Sequence, residues 1–209
     1  MNRINQESLA SQRDWLEKFY REIYLEVGFG PLQNAYYMDE IIKHLDKRVV
    51  DYLNSKPRSI LDMGCAMGYG TIKLLEAFPQ ARVFGLEVCE SAVTGGRSRF
   101  SQIDFLYDYH GRIEQDYDLI ISSHCLEHYR DPLDILLDML AKANKYCIIM
   151  VPYNEIPLLN KHLATIDDDT FPEEILHDGK EFKKISNLVY AGNRNYCRND
   201  MIQMVYELR

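Results

Sequence analysis

The chain has 209 residues, 46% of them hydrophobic, which is enough for one domain with a substantial core. Acidic residues outnumber basic ones 32 to 24, and no Lys/Arg run exceeds two, so nucleic acid and anionic membrane are unfavoured partners for a chain of formal charge -8. Five cysteines without C-x-x-C spacing fit a reducing compartment. With a polar start after Met1 and no stretch near the roughly 18 apolar residues of a membrane span, the expectation is a cytoplasmic protein.

Residues 8–27 carry Trp15, Leu16, Phe19, Tyr20, Ile23, Tyr24 and Val27 at helical spacing, predicting an amphipathic helix. An exposed stripe on residues 15–27 would suit a homodimer. Gly28 to Pro31 breaks this pattern. A second helix is expected from about Tyr37, with Ile41, Ile42, Leu45, Val49, Tyr52 and Leu53 on one stripe and Pro57 closing it. Tyr36 and Tyr37, in the break, are expected either to pack on the main domain or to roof a ligand pocket. Residues 1–56 are expected to form an N-terminal helical extension packing over the ligand side of a domain spanning 57–209.

Residues 59–71 read as a short buried strand, Ile60 to Met63, ending in a turn of small residues, Gly64, Ala66, Gly68 and Gly70. A helix with Ile72, Leu74, Leu75 and Phe78 follows, ended by Pro79. Ala81–Val88 predicts a second strand with Glu87 near its carboxyl end. Residues 91–100 give a helix interrupted at Gly95-Gly96, and Ile103–Asp108 alternates like a third strand. Tyr117–Ser123 is a nearly continuous apolar run, as a parallel strand buried on both faces should be.

Asp131-Pro132 is a helix start, with Asp131 capping and Pro132 placed where no N–H is missed; Leu133, Leu136, Leu137 and Leu140 supply its buried stripe. Tyr146–Pro152 predicts a fifth strand, followed by a long polar loop through His162. The acidic residues Asp167–Asp169, Glu173 and Glu174 read as a solvated loop before a helix rather than as a face for a cationic substrate, and Lys180, Lys183 and Lys184 as surface charges. Strands over about 184–191 and 201–208 close the chain. The succession is an α/β fold: an open, mostly parallel sheet with helices on both faces.

Three features converge: Asp62-x-Gly64-x-Ala66-x-Gly68 after the first strand, Glu87 ending the second, and Ser122-Ser-His-Cys-Leu-Glu-His128 after the fourth. With these the chain resembles the class I S-adenosylmethionine-dependent methyltransferases over about residues 58–152. The resemblance implies a Rossmann-like, mostly parallel seven-stranded sheet with an antiparallel C-terminal strand. It also implies S-adenosylmethionine as cofactor, and methyl transfer to a small-molecule acceptor, expected here to be a hydroxyl of a metabolite or sugar.

By the same resemblance, Gly64, Cys65, Ala66 and Gly68 wrap the methionine and ribose, Asp62 lies near the ammonium group, and Glu87 clamps the ribose hydroxyls. Leu86 and Val88 border the adenine, Asp108 accepts from its amino group, and Ser123 joins the cofactor set. Ala66 departs from the family's acid-x-Gly-x-Gly-x-Gly pattern. His124 and His128 are the candidate catalytic residues, since a hydroxyl acceptor must be held in line and lose its proton. Their alternative role is to orient the loop together with Glu127. No metal is expected as the leading reading, although His124, Glu127, His128 and His162 would suit a transition metal better than magnesium. The rival functions are an NAD-dependent oxidoreductase, disfavoured by Tyr69 at the third glycine of G-x-G-x-x-G, and a noncatalytic cofactor-binding or scaffold protein.

Overall fold

The computed structural model describes residues 15–22, 24, 29–159 and 161–209. The helix expected over 8–27 is seen as α1, residues 15–22; residues 8–14, Ile23 and 25–27 lie outside the described residues. Leu16, Phe19 and Tyr20 of α1 pack with Tyr24 against Met67, Cys89 and Ala92, so these members of the aromatic stripe turn inward.

The second helical stripe is two helices, α2 (Phe29–Lys43) and α3 (Lys47–Asn54). Asp46 caps α3 by accepting from Arg48 N at 2.8 Å. Phe29 to Pro31 form the first turn of α2 rather than a break, because proline is tolerated where no intrahelical N–H is needed. Tyr36 and Tyr37 consequently lie within a helix.

The rest of the chain supplies β1 (Ser59–Met63), α4 (Thr71–Ala77), β2 (Arg82–Glu87), α5 (Glu90–Arg99), β3 (Asp104–Tyr107), β4 (Tyr117–Ser123), α6 (Pro132–Lys142) and β5 (Ala143–Pro152). Three further strands follow, β6 (Glu174–His177), β7 (Lys180–Tyr190) and β8 (Met201–Leu208). The sheet order is β3-β2-β1-β4-β5-β8-β7-β6, parallel from β3 to β5 and antiparallel beyond. The sheet therefore has eight strands and not the expected seven. The added strand, β6, occupies the segment read as an acidic loop. It is joined to β7 by Asp178-Gly179, both at positive φ (50° and 74°), which is the backbone of a two-residue hairpin turn.

The central strands are mostly apolar because both faces are covered. Ile60, Val83, Leu119, Ile121, Ile148 and Met150 share one core with Met38, Ile41, Val49, Leu53 and Leu74 of α2, α3 and α4. Leu61, Phe84, Ile120, Cys147 and Ile149 share the other with Ile135, Leu136, Met139 and Leu140 of α6. Pro132 opens α6 as expected, but the Asp131 side chain makes no capping hydrogen bond to it.

The glycine pair expected to interrupt the fourth helix instead lies inside an unbroken α5. A Cβ on Gly96 would stand 2.6 Å from the Phe105 ring, and one on Gly95 3.0 Å from Met67 Cε. These glycines let α5 approach β3 and the turn after β1 closely, an advantage that offsets their poor helix propensity. Glu17 of α1 adds a cap, accepting from Glu90 N at 2.7 Å and Ser91 N at 3.2 Å.

Among the described residues no helix is long and apolar enough to cross a membrane, and all five cysteines are free. Lys184 corrects the reading of a surface charge: its side chain is 1% exposed, and Nζ donates to Phe171 O at 2.8 Å and Glu173 Oε1 at 2.9 Å. Lys180 is also engaged, donating to Ala141 O at 2.8 Å and so closing the end of α6. Lys184→Ala is expected to destabilise the fold by about 2 kcal/mol, since it strands a buried carbonyl that had accepted from a charged donor. Urea denaturation checks this, and an unchanged midpoint would show that the ammonium does not hold the 168–173 loop.

Candidate active site

Strand order reverses between β1 and β4, where open α/β sheets bind ligands at the carboxyl ends of their strands. The turn after β1 alternates left-handed residues, Gly64 at φ 79°, Ala66 at 50° and Gly68 at 83°. A Cβ on Gly64 would lie 2.7 Å from Cys125 Sγ, and one on Gly68 2.5 Å from Phe105 Cζ, so neither position has room for a side chain. Ala66 keeps the conformation that the second glycine would have. The strain is on the order of 1 kcal/mol, and its N–H donates to Glu87 Oε2 at 2.9 Å.

Glu87 is fixed from both ends, since Oε1 also accepts from Val88 N at 2.7 Å and Cys89 N at 3.2 Å. Burial raises its pKa, and these backbone bonds offset part of that rise. Asp62, 3% exposed, accepts from Thr71 Oγ1 at 2.6 Å. Burial, opposed by the Thr71 bond and reinforced by the Glu87 charge, pushes its carboxyl up to about 7.

A cavity of about 100 Å³ lies beyond the turn, with Gly64, Glu87 and Val88 on one side, His124, Cys125 and His128 on the other, and Leu16 and Tyr20 of α1 across it. It brings together six of the sequence-predicted site residues, Gly64, Leu86, Glu87, Val88, His124 and His128. Asp62, Cys65 and Ala66 stand buried behind it, and Gly68 ends the turn. Two others are not brought in. Asp108 lines a separate cleft, where it accepts from His110 N at 2.8 Å and Arg112 N at 3.0 Å and pairs with the Arg112 guanidinium. Ser123 pairs with Met150 in the sheet and lines none of the cavities described; its neighbour Ser122 donates to Met63 O at 2.9 Å.

His124 and His128 also border a larger basin of about 1020 Å³, shared with Tyr37, Glu127, Glu155 and His162. His124 is held at φ 48°, its N–H donating to Met150 O at 2.8 Å and its ring stacked on Tyr37 at 3.6 Å between centroids. Its Nδ1 lies 3.4 Å from Glu127 Oε1, an ion-pair contact too loose for a good hydrogen bond, and its Nε2 is buried without a partner among the described residues. Glu127 is 2% exposed, and neither carboxylate oxygen has a hydrogen-bond partner there. Burial alone would raise its pKa; His124, with His128 and His162 nearby, outweighs burial and holds it below the ordinary value.

His128 Nδ1 donates to Lys161 O at 3.0 Å, and His162 Nδ1 donates to Glu155 Oε2. Glu155 in turn accepts from Asn199 Nδ2 at 2.7 Å. Tyr37 lines the basin as the pocket-roof expectation required, braced by Gln33 Nε2 at 2.7 Å and donating to Tyr196 O at 2.9 Å. Tyr36 turns away from the basin, stacking on Tyr196 and accepting from Asn193 N at 2.8 Å. Sequence reasoning missed Glu155; the signal was an acid just past the carboxyl end of β5, on the edge where ligands bind.

The family described as "Methyltransferase domain" matches residues 34–192. Among curated proteins, the malonyl-[acyl-carrier protein] O-methyltransferase of Bacillus anthracis is 24% identical over 169 residues, 77% of this chain and 56% of that protein. The trans-aconitate 2-methyltransferase of Acidovorax sp. (strain JS42) is 40% identical over 50 residues, 24% of this chain and 19% of that protein. The chain spans about half the length of the Bacillus anthracis relative. Among solved structures, the magnesium protoporphyrin IX methyltransferase from Synechocystis PCC 6803 with bound SAH has a TM-score of 0.70 at 15% identity, covering 95% of this chain and 98% of that one. The phosphoethanolamine N-methyltransferase 1 of Haemonchus contortus has a TM-score of 0.65 at 13% identity, covering 100% of this chain and 50% of that one. These likenesses are in fold. The family match sets the oxidoreductase reading aside.

Asp62 makes the cofactor-free site sensitive to pH. Its folded pKa of about 7 lies above the ordinary 3.8, so the native state holds a proton that the unfolded chain has released. Stability should therefore fall as pH rises from about 4 to 7 and level off above. Asp62→Asn should flatten that slope and exceed the wild type in melting temperature near pH 8. Parallel melting curves for the two proteins across this window would contradict the assignment.

Proposed function

Because this chain belongs to the class I S-adenosylmethionine-dependent methyltransferase family, we propose that it transfers the methyl group of that cofactor to an oxygen of a small acceptor, a hydroxyl being the leading case. The observation that carries this reading is the position of His124, in the wall shared by the cavity beyond the turn and the larger basin, with its Nδ1 facing the Glu127 carboxylate.

The residues present fit the cofactor. Gly64 presents backbone to the cavity beside Glu87, and the two buried carboxylates Asp62 and Glu87 suit a ligand carrying a sulfonium and an ammonium. In this reading Gly64, Cys65, Ala66 and Gly68 cradle the methionine and ribose, Asp62 faces the ammonium, and Glu87 accepts from the ribose hydroxyls beside Val88. When bound, the cofactor supplies an electrophilic methyl group and its own leaving group.

The chain's own work is then placement and proton removal. The Glu127 carboxylate favours the proton on His124 Nδ1, which leaves Nε2 as the acceptor nitrogen. Nε2 takes the hydroxyl proton as the acceptor oxygen attacks. Tyr37, stacked on the imidazole, fixes its plane, and the left-handed backbone at His124 is local strain of the kind that marks functional positions.

A carboxylate acceptor is the second reading, favoured by Arg194 and Arg198 in the lining of the basin and requiring no base. In this proposal the described part of the N-terminal extension covers the site, with Leu16 and Tyr20 at the first cavity and Tyr20, Tyr24 and Tyr37 at the basin, and the small-molecule acceptor enters through the basin.

Glu87→Ala is expected to weaken S-adenosylhomocysteine binding by at least about tenfold, the loss of a charge-assisted clamp, as read by calorimetry. Equal affinity in wild type and variant would remove Glu87 from the ribose site, and no binding by the folded wild type would sink the cofactor reading. With a panel of radiolabelled transfers to hydroxyl and carboxylate acceptors, His124→Ala should lower kcat about 10²-fold or more for a hydroxyl while leaving cofactor affinity intact. An unchanged kcat on a hydroxyl would exclude His124 as the base. Turnover confined to carboxylates would select the second reading, and cofactor binding with no transfer to either class would favour a noncatalytic role.

A further inference from the structure

We propose that Glu127, His128 and His162 form a binding site for a divalent transition-metal ion in the wall of the acceptor basin. The three residues each offer a ligand atom, and these atoms all lie within 4.8 Å of one another. Edges of a tetrahedral site with bonds near 2.0–2.1 Å are about 3.4 Å, so closure around an ion takes side-chain movements of about 1 Å.

The surroundings are built for a ligand. Glu127 is 2% exposed, yet both of its carboxylate oxygens lack a hydrogen-bond partner among the described residues, a costly arrangement unless something else fills the gap. The two imidazoles are oriented from behind: His128 Nδ1 donates to Lys161 O at 3.0 Å, and His162 Nδ1 donates to the Glu155 carboxylate. That fixes the tautomer in which Nε2 carries the lone pair, and carbonyl or carboxylate partners of this kind are what hold metal-binding histidines in place. Glu155 is itself held by Asn199 Nδ2 at 2.7 Å and Leu159 N at 3.3 Å. Leu163 N donates to Glu127 O at 2.7 Å, tying the His162 loop to the Glu127 segment.

Two imidazoles and one carboxylate select a transition dication such as zinc, manganese or iron over magnesium. Three protein ligands leave coordination positions open, and these face the basin lined by the same residues. The inference therefore deepens the methyltransferase reading and rests on it for its role. An acceptor oxygen bound to the ion would have its O–H acidified; the proton passes to His124 Nε2, the oxygen bonds to the methyl carbon, and the C–S bond breaks with its electron pair going to sulfur.

The test is titration of the EDTA-stripped full chain with Co(II), read by its visible ligand-field bands, beside S-adenosylhomocysteine calorimetry on the same samples. One saturable Co(II) site per chain is expected. Glu127→Gln and His162→Ala should each weaken it at least about 100-fold, and Glu155→Gln, which acts through His162, by about 10- to 100-fold. His177→Ala, on the edge strand β6, should leave it unchanged. Cofactor affinity within about threefold of wild type certifies the fold of each variant; if Glu127→Gln does not fold, His162→Ala, on the polar loop, carries the test. No saturable site in the wild type, or the same Co(II) affinity in His162→Ala, overturns the proposal. A chain that binds Co(II) at these residues but no S-adenosylhomocysteine keeps the metal site and loses the methyltransferase role; the reverse result loses the metal alone.

Discussion

The contact between Gly64 and Cys125 is the constraint on which the site depends. A Cβ at Gly64 would stand 2.7 Å from Cys125 Sγ, so the turn after β1 and the segment after β4 meet backbone against side chain at the reversal of strand order. Only that close approach lets a cavity be lined by Glu87 from one side and by His124 and His128 from the other. Gly85 and Gly96 act similarly behind it, admitting Cys65 and Phe105 where a Cβ would collide. The small residues of the first half of the chain are thus a packing device for the turn as much as a source of backbone freedom.

The part of this that was legible in the sequence is the part governed by local pattern. Continuous apolar runs marked β1, β2, β4 and β5 because strands covered on both faces have no polar side, and Pro132 marked the start of α6. Gly64, Glu87, His124 and His128 were legible as well, since each sits at the carboxyl end of one of those strands or just after it. What escaped depends on contacts distant in sequence. The helix through Gly95 and Gly96 stands because Phe105 and Met67 need the space. Lys184 is buried because carbonyls of the 168–171 loop converge on it. The strand β6 was the avoidable miss: Asp178-Gly179 is a strong hairpin signal, masked by the charge of the residues around it.

Asp108 and Ser123 illustrate a different limit. Each ends or follows a strand, as a site residue should, but a single strand end offers several side chains and their directions alternate. Asp108 turns its carboxylate onto the backbone N–H groups of His110 and Arg112, and Ser122 rather than Ser123 reaches the β1 carbonyl. Spacing identifies the edge of the sheet. Which side chain is used there is decided by the loop that follows.

The carboxyl edge concentrates buried acids: Asp62, Glu87, Glu127 and Glu155 are each no more than 6% exposed. Buried carboxylates are costly in isolation, and backbone N–H groups satisfy Glu87 while, among the described residues, Thr71 alone donates to Asp62. The remainder comes from protonation, as at Asp62, or from cations. In the proposed reading a sulfonium and an ammonium answer the first pair, and an ion held beside Glu127 and His162 answers the second. The two cavities meet at His124 and His128, so charge placed in one is felt in the other. Cofactor and acceptor chemistry are then coupled through the electrostatics of a single acidic edge, and α2, which lays Tyr37 over His124, is part of that edge although it precedes the first strand.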